Sequence, residues 1–291
     1  MHAMKAAALF EYRAGKKKRT IQPNGQGVMS EQKPLSYNEY LKVIELLNLQ
    51  VPLASPTVHD ELFFIIIHQA YELWFKEILH DADGAIAAMD AGDPRRALHL
   101  VRRCGSIQKH LVAQIHLMEA MTPMEFLRFR EQLKPASGFQ SIQFREVEFT
   151  LGVKNTEILK AFEKDGPASN QLMRRWNRPS LRDAFLALLR RDGFHLPEGD
   201  GGKAERIQSL LRLYVEFRRY WDLYQLAEAL VELDEQLSLW RLHHINMVER
   251  QIGSKQGTGG SEGVGYLRRT LDARGFPELW EVRTHMQVTG A

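Results

Sequence analysis

The chain has 291 residues, of which 44% are hydrophobic and 26% charged, a composition typical of a globular protein with a substantial core. The 39 Lys and Arg residues nearly balance the 36 Asp and Glu residues, so the formal net charge of +3 provides no strong field for attracting nucleic acid or anionic lipid. The single cysteine, Cys104, excludes an intrachain disulfide and a cysteine-based zinc cluster, which favours a reducing, cytoplasmic location.

The N-terminal 29 residues are predicted to form a disordered extension, and a single helical domain is predicted over residues 30–291. The apolar stretch Ala6–Phe10 is too short for a secretory signal. The basic run Lys16–Arg19 is followed by no basic face or interleaved aromatic residues, which favours a solvated tail over a nucleic-acid contact. Apolar runs such as Leu62–Ile67 are far shorter than the roughly 20 residues that cross a bilayer, so no membrane segment is predicted.

Beyond Met29, apolar residues recur at spacings of three and four, which predicts helices packed on one another and no sustained strand. Ser55-Pro56 is an N-cap signal that predicts a helix running to Gly92, and Asp93-Pro94 repeats the signal for the next helix. The capping sequence Thr122-Pro123-Met124-Glu125 predicts a helix that ends before Pro135.

Later helices are predicted from about Phe139 to Leu151, stopped by Gly152, and over residues 155–164 and 180–191. Residues 203–252 contain neither Gly nor Pro. One helix of that length would extend roughly 75 Å, whereas a compact chain of this size has a radius of gyration of roughly 19 Å. We therefore predict two long helices folded back on each other, or one that also packs on a neighbouring subunit. The predicted fold is all-α, a single helical bundle.

His68 is the first unusual residue, because helical spacing places it beside Phe64, Tyr71 and Phe75 on the face that packing buries. A buried imidazole either hydrogen-bonds a backbone carbonyl within the core or serves a functional site. For a single histidine the first interpretation is the more common one.

His244 stands in a second apolar stripe, with Leu237, Trp240 and Met247 on its side of the last long helix, while His243 points elsewhere. An axial haem ligand requires one neutral imidazole on a rigid helix, among apolar groups that hold the porphyrin. His244 meets this requirement better than the other ten histidines, and a core histidine is again the alternative.

Two further features are polar. The segment Gly257-Thr258-Gly259-Gly260-Ser261 is dense in backbone N–H groups and hydroxyls, but no strand precedes it and its order is not that of a phosphate-binding loop. It either closes over a small polar ligand or is a surface loop. Arg130 lies one turn after Phe126 on a predicted helix, where it is either a solvated charge or an inward-facing group that requires an anion.

Other helical site chemistries are disfavoured. A di-iron bundle needs paired Glu-x-x-His motifs, and Glu77-x-x-His80 has no second copy. The His-Glu-x-x-His motif of helical zinc hydrolases is absent, and the chain lacks strands to hold the nucleophile elbow of a serine hydrolase.

Several of these segments together resemble the tryptophan 2,3-dioxygenase family, and the similarity covers nearly everything after about Pro34. The matching stretches are, in order, Tyr37–Leu41, His59–Lys76, Met121–Pro123, Phe129–Arg130, Ser137–Arg145, Trp240–Arg241 with His244, and Lys255–Ser261. Several separate long motifs in the same order do not match by chance.

The resemblance implies an intertwined homotetramer, a dimer of dimers, with one haem b per subunit. His244 would be the axial ligand of the haem iron, and Ser137 and Gly138 would lie near the haem edge. The implied reaction inserts both atoms of the co-substrate O₂ across the indole C2–C3 bond of L-tryptophan. The product would be N-formyl-L-kynurenine, in the first step of the kynurenine pathway.

The same resemblance implies the substrate contacts. His68 would be the catalytic residue that hydrogen-bonds the indole N–H, either as a base or as an orienting acceptor. Arg130 would pair with the substrate carboxylate, a bidentate contact that lysine cannot reproduce. The other implied contacts are Phe64 and Phe126 around the ring, Thr258 at the amino-acid end, and Tyr37, Tyr40 and Leu41 from an adjacent subunit.

The chain departs from the family pattern at two positions. Glu262 stands where the family usually has a second small serine, and Phe126 stands where some relatives carry tyrosine. Two rival functions also remain open from the sequence. One is a dioxygenase acting on another indole, and the other is a non-catalytic haem sensor or carrier.

Overall fold

The computed structural model describes residues 34–260 and 263–287, and the regular elements in these ranges are all helical, which confirms the predicted all-α class. The extension predicted for residues 1–29 lies outside the described residues. The chain divides into two compact units, Met1–Val51 and Pro52–Ala291. None of the described helices is both long enough and apolar enough to span a bilayer.

The described part of the first unit holds two short helices, α1 (Tyr37–Leu41) and α2 (Val43–Leu46). A capping box between Ser36 and Glu39 starts α1, and Lys42, with φ at +54°, turns the chain between the two helices. No side chain of residues 34–51 is buried. This segment therefore presents its apolar side chains outward.

Three long helices form the core of the second unit: α3 (His59–Asp90), α4 (Pro94–Met118) and α11 (Trp221–Ile252). Helix α4 packs along both α3 and α11. Small side chains allow this close approach, since Ala82 and Ala97 are fully buried and a Cβ at Gly84 would lie 3.1 Å from Leu100 Cδ1. The three helices therefore form one tightly packed framework.

Shorter helices surround this core. They are α5 (Pro123–Arg130), α6 (Ile142–Leu151), α7 (Thr156–Ala161), α8 (Gly166–Trp176), α9 (Leu181–Arg191), α10 (Lys203–Val215), α12 (Val264–Arg268) and α13 (Pro277–Glu281). Single 3₁₀ turns cover Glu131–Leu133, Gly138–Gln140, Asp200–Gly202 and Val282–His285.

Most predicted helix boundaries are confirmed. Asp93 caps α4 with Pro94 at its first position, Thr122 caps α5, and α6 ends at Gly152, whose φ of +104° suits glycine. The stretch without Gly or Pro does form two helices, α10 and α11. Their separation near Tyr220 coincides with a packed aromatic contact, in which the rings of Tyr220 and Phe194 lie 4.8 Å apart.

Two boundaries differ from the prediction. Helix α3 begins at His59 rather than at Ser55-Pro56, because the buried carboxylate of Glu61 accepts hydrogen bonds from the backbone N–H groups of Leu53 (2.7 Å) and Ala54 (2.9 Å). These bonds hold the preceding segment against the first turn of the helix. Helix α6 begins three residues after Phe139, because Gly138–Gln140 forms a separate 3₁₀ turn.

The C-terminal segment is fixed to α11 by Asp234, whose side chain is fully buried. Its carboxylate accepts hydrogen bonds from the backbone N–H groups of Gly275 (2.9 Å) and Phe276 (3.3 Å) and from the indole N–H of Trp280 (2.9 Å). These bonds supply the partners that a buried carboxylate requires.

Replacing Asp234 with alanine should therefore leave three buried donors without their acceptor. We expect the free energy of unfolding to fall by about 3–5 kcal/mol. Urea denaturation followed by circular dichroism measures this change, and the exposed neighbour Glu235→Ala serves as the control. Equal stability of the Asp234 and Glu235 variants would contradict the assignment.

Candidate active site

One cavity in the second unit is lined by α3, α4, α5, α6, α11, α12 and the loops between them. It brings together residues from all the predicted site motifs of this unit, namely Phe64, His68, Phe126, Arg130, Ser137, Gly138, His244 and Thr258. Aromatic side chains supply much of the remaining wall: Tyr71, Phe75, Phe139, Phe144, Trp240 and Tyr266. The cavity therefore suits a flat, largely apolar occupant with a few polar ends.

His68 reaches the cavity from α3, and its tautomer follows from one contact. Its Nδ1 lies 2.7 Å from the carbonyl oxygen of Phe64, a group that can only accept a hydrogen bond. Nδ1 therefore carries the proton, and Nε2 is left as an acceptor. The imidazole has accessible surface because it faces the cavity, but protein atoms surround it closely enough that desolvation lowers its pKa, against smaller opposing effects of the Phe64 hydrogen bond and of Glu72.

His244 faces the same cavity from α11. Desolvation lowers the pKa of His244 to about 4, and the neighbouring His68 and the charge of Arg145 add to this shift. Its ring stacks on Trp240 one turn earlier, with centroids 5.0 Å apart and planes 6° apart. A neutral imidazole held in this way has a nitrogen lone pair available for a metal. The adjacent His243 packs instead against His116, at 5.1 Å between ring centroids.

Phenylalanine side chains form a wall beside His68. The ring of Phe64 lies 4.0 Å from the His68 imidazole, 5.8 Å from Phe126 in a stacked arrangement, and 5.5 Å from the edge of Phe129. Such a wall can hold a planar aromatic ligand by its faces and edges. The wall lies next to the His68 imidazole, whose Nε2 is the acceptor that an aromatic N–H donor would need.

Arg130 faces inward at the end of α5, with only 6% of its surface exposed. It donates a hydrogen bond to the backbone carbonyl of Gln256 and another, at 3.3 Å, to the exposed carboxylate of Glu131. Arg130 is therefore an inward-facing group and not a solvated charge, the two alternatives that the sequence left open. A guanidinium that is so deeply buried can receive an anion through the cavity.

The glycine-rich segment packs against the loop that contains Ser137. The hydroxyl of Thr258 donates a 2.6 Å hydrogen bond to the carbonyl of Ala136. A Cβ on Gly259 would lie 2.5 Å from Ser137 Oγ, so only glycine permits this approach. The segment is therefore part of the cavity wall in this conformation, and not a detached surface loop.

Three predicted residues lie outside this unit. Tyr37, Tyr40 and Leu41 are on α1, and their side chains are exposed. They belong to residues 34–51, in which no side chain is buried.

The sequence reasoning assigned no role to a set of charged residues in the cavity wall: Glu72, Arg145, Glu148 and Arg241. Arg145 and Glu148 stand three residues apart within the apolar helix α6, which is a signal of a buried ion pair. Their partner Arg241 is 93 residues away from Glu148, and no local pattern could indicate that contact.

Comparison with known proteins identifies the family of this chain. The family model described as tryptophan 2,3-dioxygenase matches residues 22–193 and 181–286. The tryptophan 2,3-dioxygenase of Herpetosiphon aurantiacus is 46% identical over 87% of this chain and 98% of its own length. Those of Kineococcus radiotolerans and Bacillus thuringiensis subsp. konkukian are 45% and 40% identical, each over 87% of this chain and over 91% and 93% of their own lengths. The chain belongs to the tryptophan 2,3-dioxygenase family.

Proposed function

We propose that the protein is a haem-dependent dioxygenase that opens the indole ring of L-tryptophan to give N-formyl-L-kynurenine, the first step of tryptophan breakdown through kynurenine. The observation that carries this proposal is that two neutral imidazoles, from α3 and α11, face one aromatic cavity. Membership of the family supports the same reaction.

The residues present fit a haem. His244 offers a neutral imidazole from a long helix, and the aromatic and aliphatic wall is suited to a porphyrin face. We propose one haem b per subunit, held by His244 as axial ligand, with Ser137 and Gly138 near its edge. When bound, ferrous haem supplies the activation of O₂ that a closed-shell indole cannot provide.

His68 would receive the indole. With Nδ1 committed to the Phe64 carbonyl, Nε2 can accept a hydrogen bond from the indole N–H. An indole N–H is a very weak acid, so orientation of the ring is the primary role we propose for His68. Phe64 and Phe126 would confine the ring by contact with it.

Arg130 and the glycine-rich segment would receive the amino-acid end. The guanidinium of Arg130 would form a bidentate pair with the carboxylate of tryptophan. Thr258 lines the same cavity two residues after Gln256, the residue that Arg130 contacts, which supports our proposal that its hydroxyl contacts the same end of the ligand.

The exposed apolar segment supports assembly into a homotetramer arranged as a dimer of dimers. Large apolar side chains that are exposed on a single chain are typical of a protein interface. We propose that a neighbouring subunit covers them and that Tyr37, Tyr40 and Leu41 then approach a partner's cavity. Sedimentation velocity that gave only monomer at micromolar concentration would contradict this arrangement.

The haem assignment is tested by replacing His244 with alanine. We expect the purified wild type to show a Soret band after haem-replete expression and the variant to lose it, because the axial bond is removed. His243→Ala is the matched control, since that ring packs against His116, and it should keep the band. A colourless wild type, or equal haem content in the two variants, would contradict the proposal.

The substrate assignment is tested by replacing Arg130 with leucine. Losing a charge-assisted pair should raise the Kd of L-tryptophan roughly 10-fold to 150-fold. Spectral titration of the haem protein measures this, with Arg128→Leu as control because Arg128 is exposed and pairs with Glu125 at 2.8 Å. A Kd within twofold of the wild type would remove Arg130 from the site.

Comparing the turnover of L-tryptophan, D-tryptophan and indole tests the substrate class.

The pH dependence follows from the lowered pKa of His68. Because this pKa is below the ordinary value of 6.5, the imidazole remains a neutral acceptor as the pH falls through 6.5 and loses that role only at lower pH. We expect kcat/KM for L-tryptophan to stay level through pH 6.5 and to decline below it. A decline centred at pH 6.5 or above that disappears in His68→Ala would contradict this expectation.

A further inference from the structure

Two arginines and one glutamate are buried together in the wall of the cavity. Glu148 Oε2 lies 2.7 Å from Arg145 Nη1, and Glu148 Oε1 lies 2.7 Å from Arg241 Nη2. The three side chains are at most 8% exposed. One carboxylate thus serves two guanidiniums, and the cluster keeps one positive charge in excess.

The rest of the described cavity lining does not remove this excess. Its other charged side chains are Glu72, which accepts a 2.8 Å hydrogen bond from the neutral amide of Gln143, and Arg130, which pairs at 3.3 Å with Glu131. Within the described residues Glu72 forms no ion pair with Arg145 or Arg241, so the excess charge of the cluster has no direct counter-charge. A charge that is held away from water without a counter-charge is costly, so this arrangement suits a protein that binds an anion here.

In the part of the chain that the structure describes, Arg145 has a terminal nitrogen without an acceptor, whereas both terminal nitrogens of Arg241 are bonded, to Ala273 and to Glu148. It donates through Nη1 to Glu148 and through Nε, at 3.4 Å, to the carbonyl of Phe139. Within the described residues, Nη2 of Arg145 has no acceptor. The rings of Phe139 and Phe144 lie 4.9 Å and 5.2 Å from its guanidinium carbon and help to hold that group in place.

A series of ring contacts places this guanidinium on the side of the cavity formed by His244. Arg145 lies over Phe144, Phe144 lies 4.8 Å from Trp240, and Trp240 stacks on His244. Arg130, in contrast, is bonded to the carbonyl of Gln256, immediately before the glycine-rich segment. The two arginines thus lie at different parts of the cavity wall.

We propose that Arg145, supported by Glu148 and Arg241, binds a carboxylate of the cofactor, a propionate of the haem. This inference rests on the haem-dependent function proposed above. Tryptophan has a single carboxylate, which Arg130 receives, so the second anion is assigned to the macrocycle whose iron binds His244. Glu148 is then a positioning residue, which fixes Arg145 and prevents the cluster from carrying two uncompensated charges.

The test uses the carboxylates of the cofactor as a probe. Ferric haem and its dimethyl ester, which lacks the two negative charges, are each loaded into the wild type and into Arg145→Gln. Transfer to apomyoglobin then gives the release rate. We expect Arg145→Gln to release haem about tenfold to a hundredfold faster than the wild type. Esterification should accelerate haem release from the wild type. The factor of this acceleration should be at least about tenfold larger than the factor for Arg145→Gln, because the variant has already lost the contact.

Two further variants separate this role from folding. Arg145→Lys keeps the charge and should retain most of the difference between haem and its ester. Arg175→Gln breaks another well-buried ion pair, in which Arg175 Nη1 lies 2.6 Å from Asp83, outside the cavity lining, and should release haem at the wild-type rate. Arg145→Gln leaves Glu148 and Arg241 as a balanced pair, so its apoprotein should unfold at a temperature close to that of the wild-type apoprotein.

Three outcomes would overturn the inference. Wild-type release rates in Arg145→Gln, or an equal effect of esterification in both proteins, would exclude a contact with a propionate. A raised Kd for L-tryptophan with unchanged haem release would assign Arg145 to the substrate carboxylate instead. A wild type that does not take up haem at all would overturn the proposed function itself, and that result is recognised before any variant is compared.

Discussion

The packing of α3 and α11 against the same helix, α4, is the constraint on which the site depends. His68 and His244 come from distant parts of the chain, and neither helix alone places one relative to the other. Because α4 contacts both helices along small, fully buried side chains such as Ala97, the spacing between the two imidazoles is a property of the core. A rigid core of this kind suits a site that must hold a cofactor and a substrate at a fixed separation.

Desolvation gives these imidazoles their chemical character. Both lie among apolar side chains, so both have lowered pKa values and are neutral at physiological pH. The same environment raises the free-energy cost of any unpaired charge, so the buried arginines of the cavity require counter-charges. Glu148 compensates part of that charge, and the part that remains is the basis for the anionic ligand proposed above. Apolar surroundings therefore determine both the neutral and the charged parts of the site.

Much of this architecture could be predicted from the sequence, because helix ends depend on local chemistry. Asp93 with Pro94, and Gly152 at positive φ, act over a few residues and are visible as short motifs. Helix α8 was not predicted, although Asp165 and Pro167 at its start provide the same kind of signal. The predicted start of α3 was wrong because Glu61 accepts hydrogen bonds from Leu53 and Ala54, eight and seven residues earlier, a contact that no helix-capping motif describes. The bond from Arg241 to Glu148 was missed for the same reason.

The bond between Arg130 and the Gln256 carbonyl has a consequence for ligand selectivity in the cavity. A peptide carbonyl is a dipole, and it satisfies a guanidinium without neutralising it. An incoming ligand that bears a full negative charge can displace such an acceptor, whereas a neutral ligand gains little by doing so. Since the acceptor is backbone, the side chain at position 256 can vary without changing this competition. Glu131 contacts Nη1 of Arg130 at 3.3 Å, so it is Nη2, bonded to the Gln256 carbonyl, whose acceptor an anion can replace.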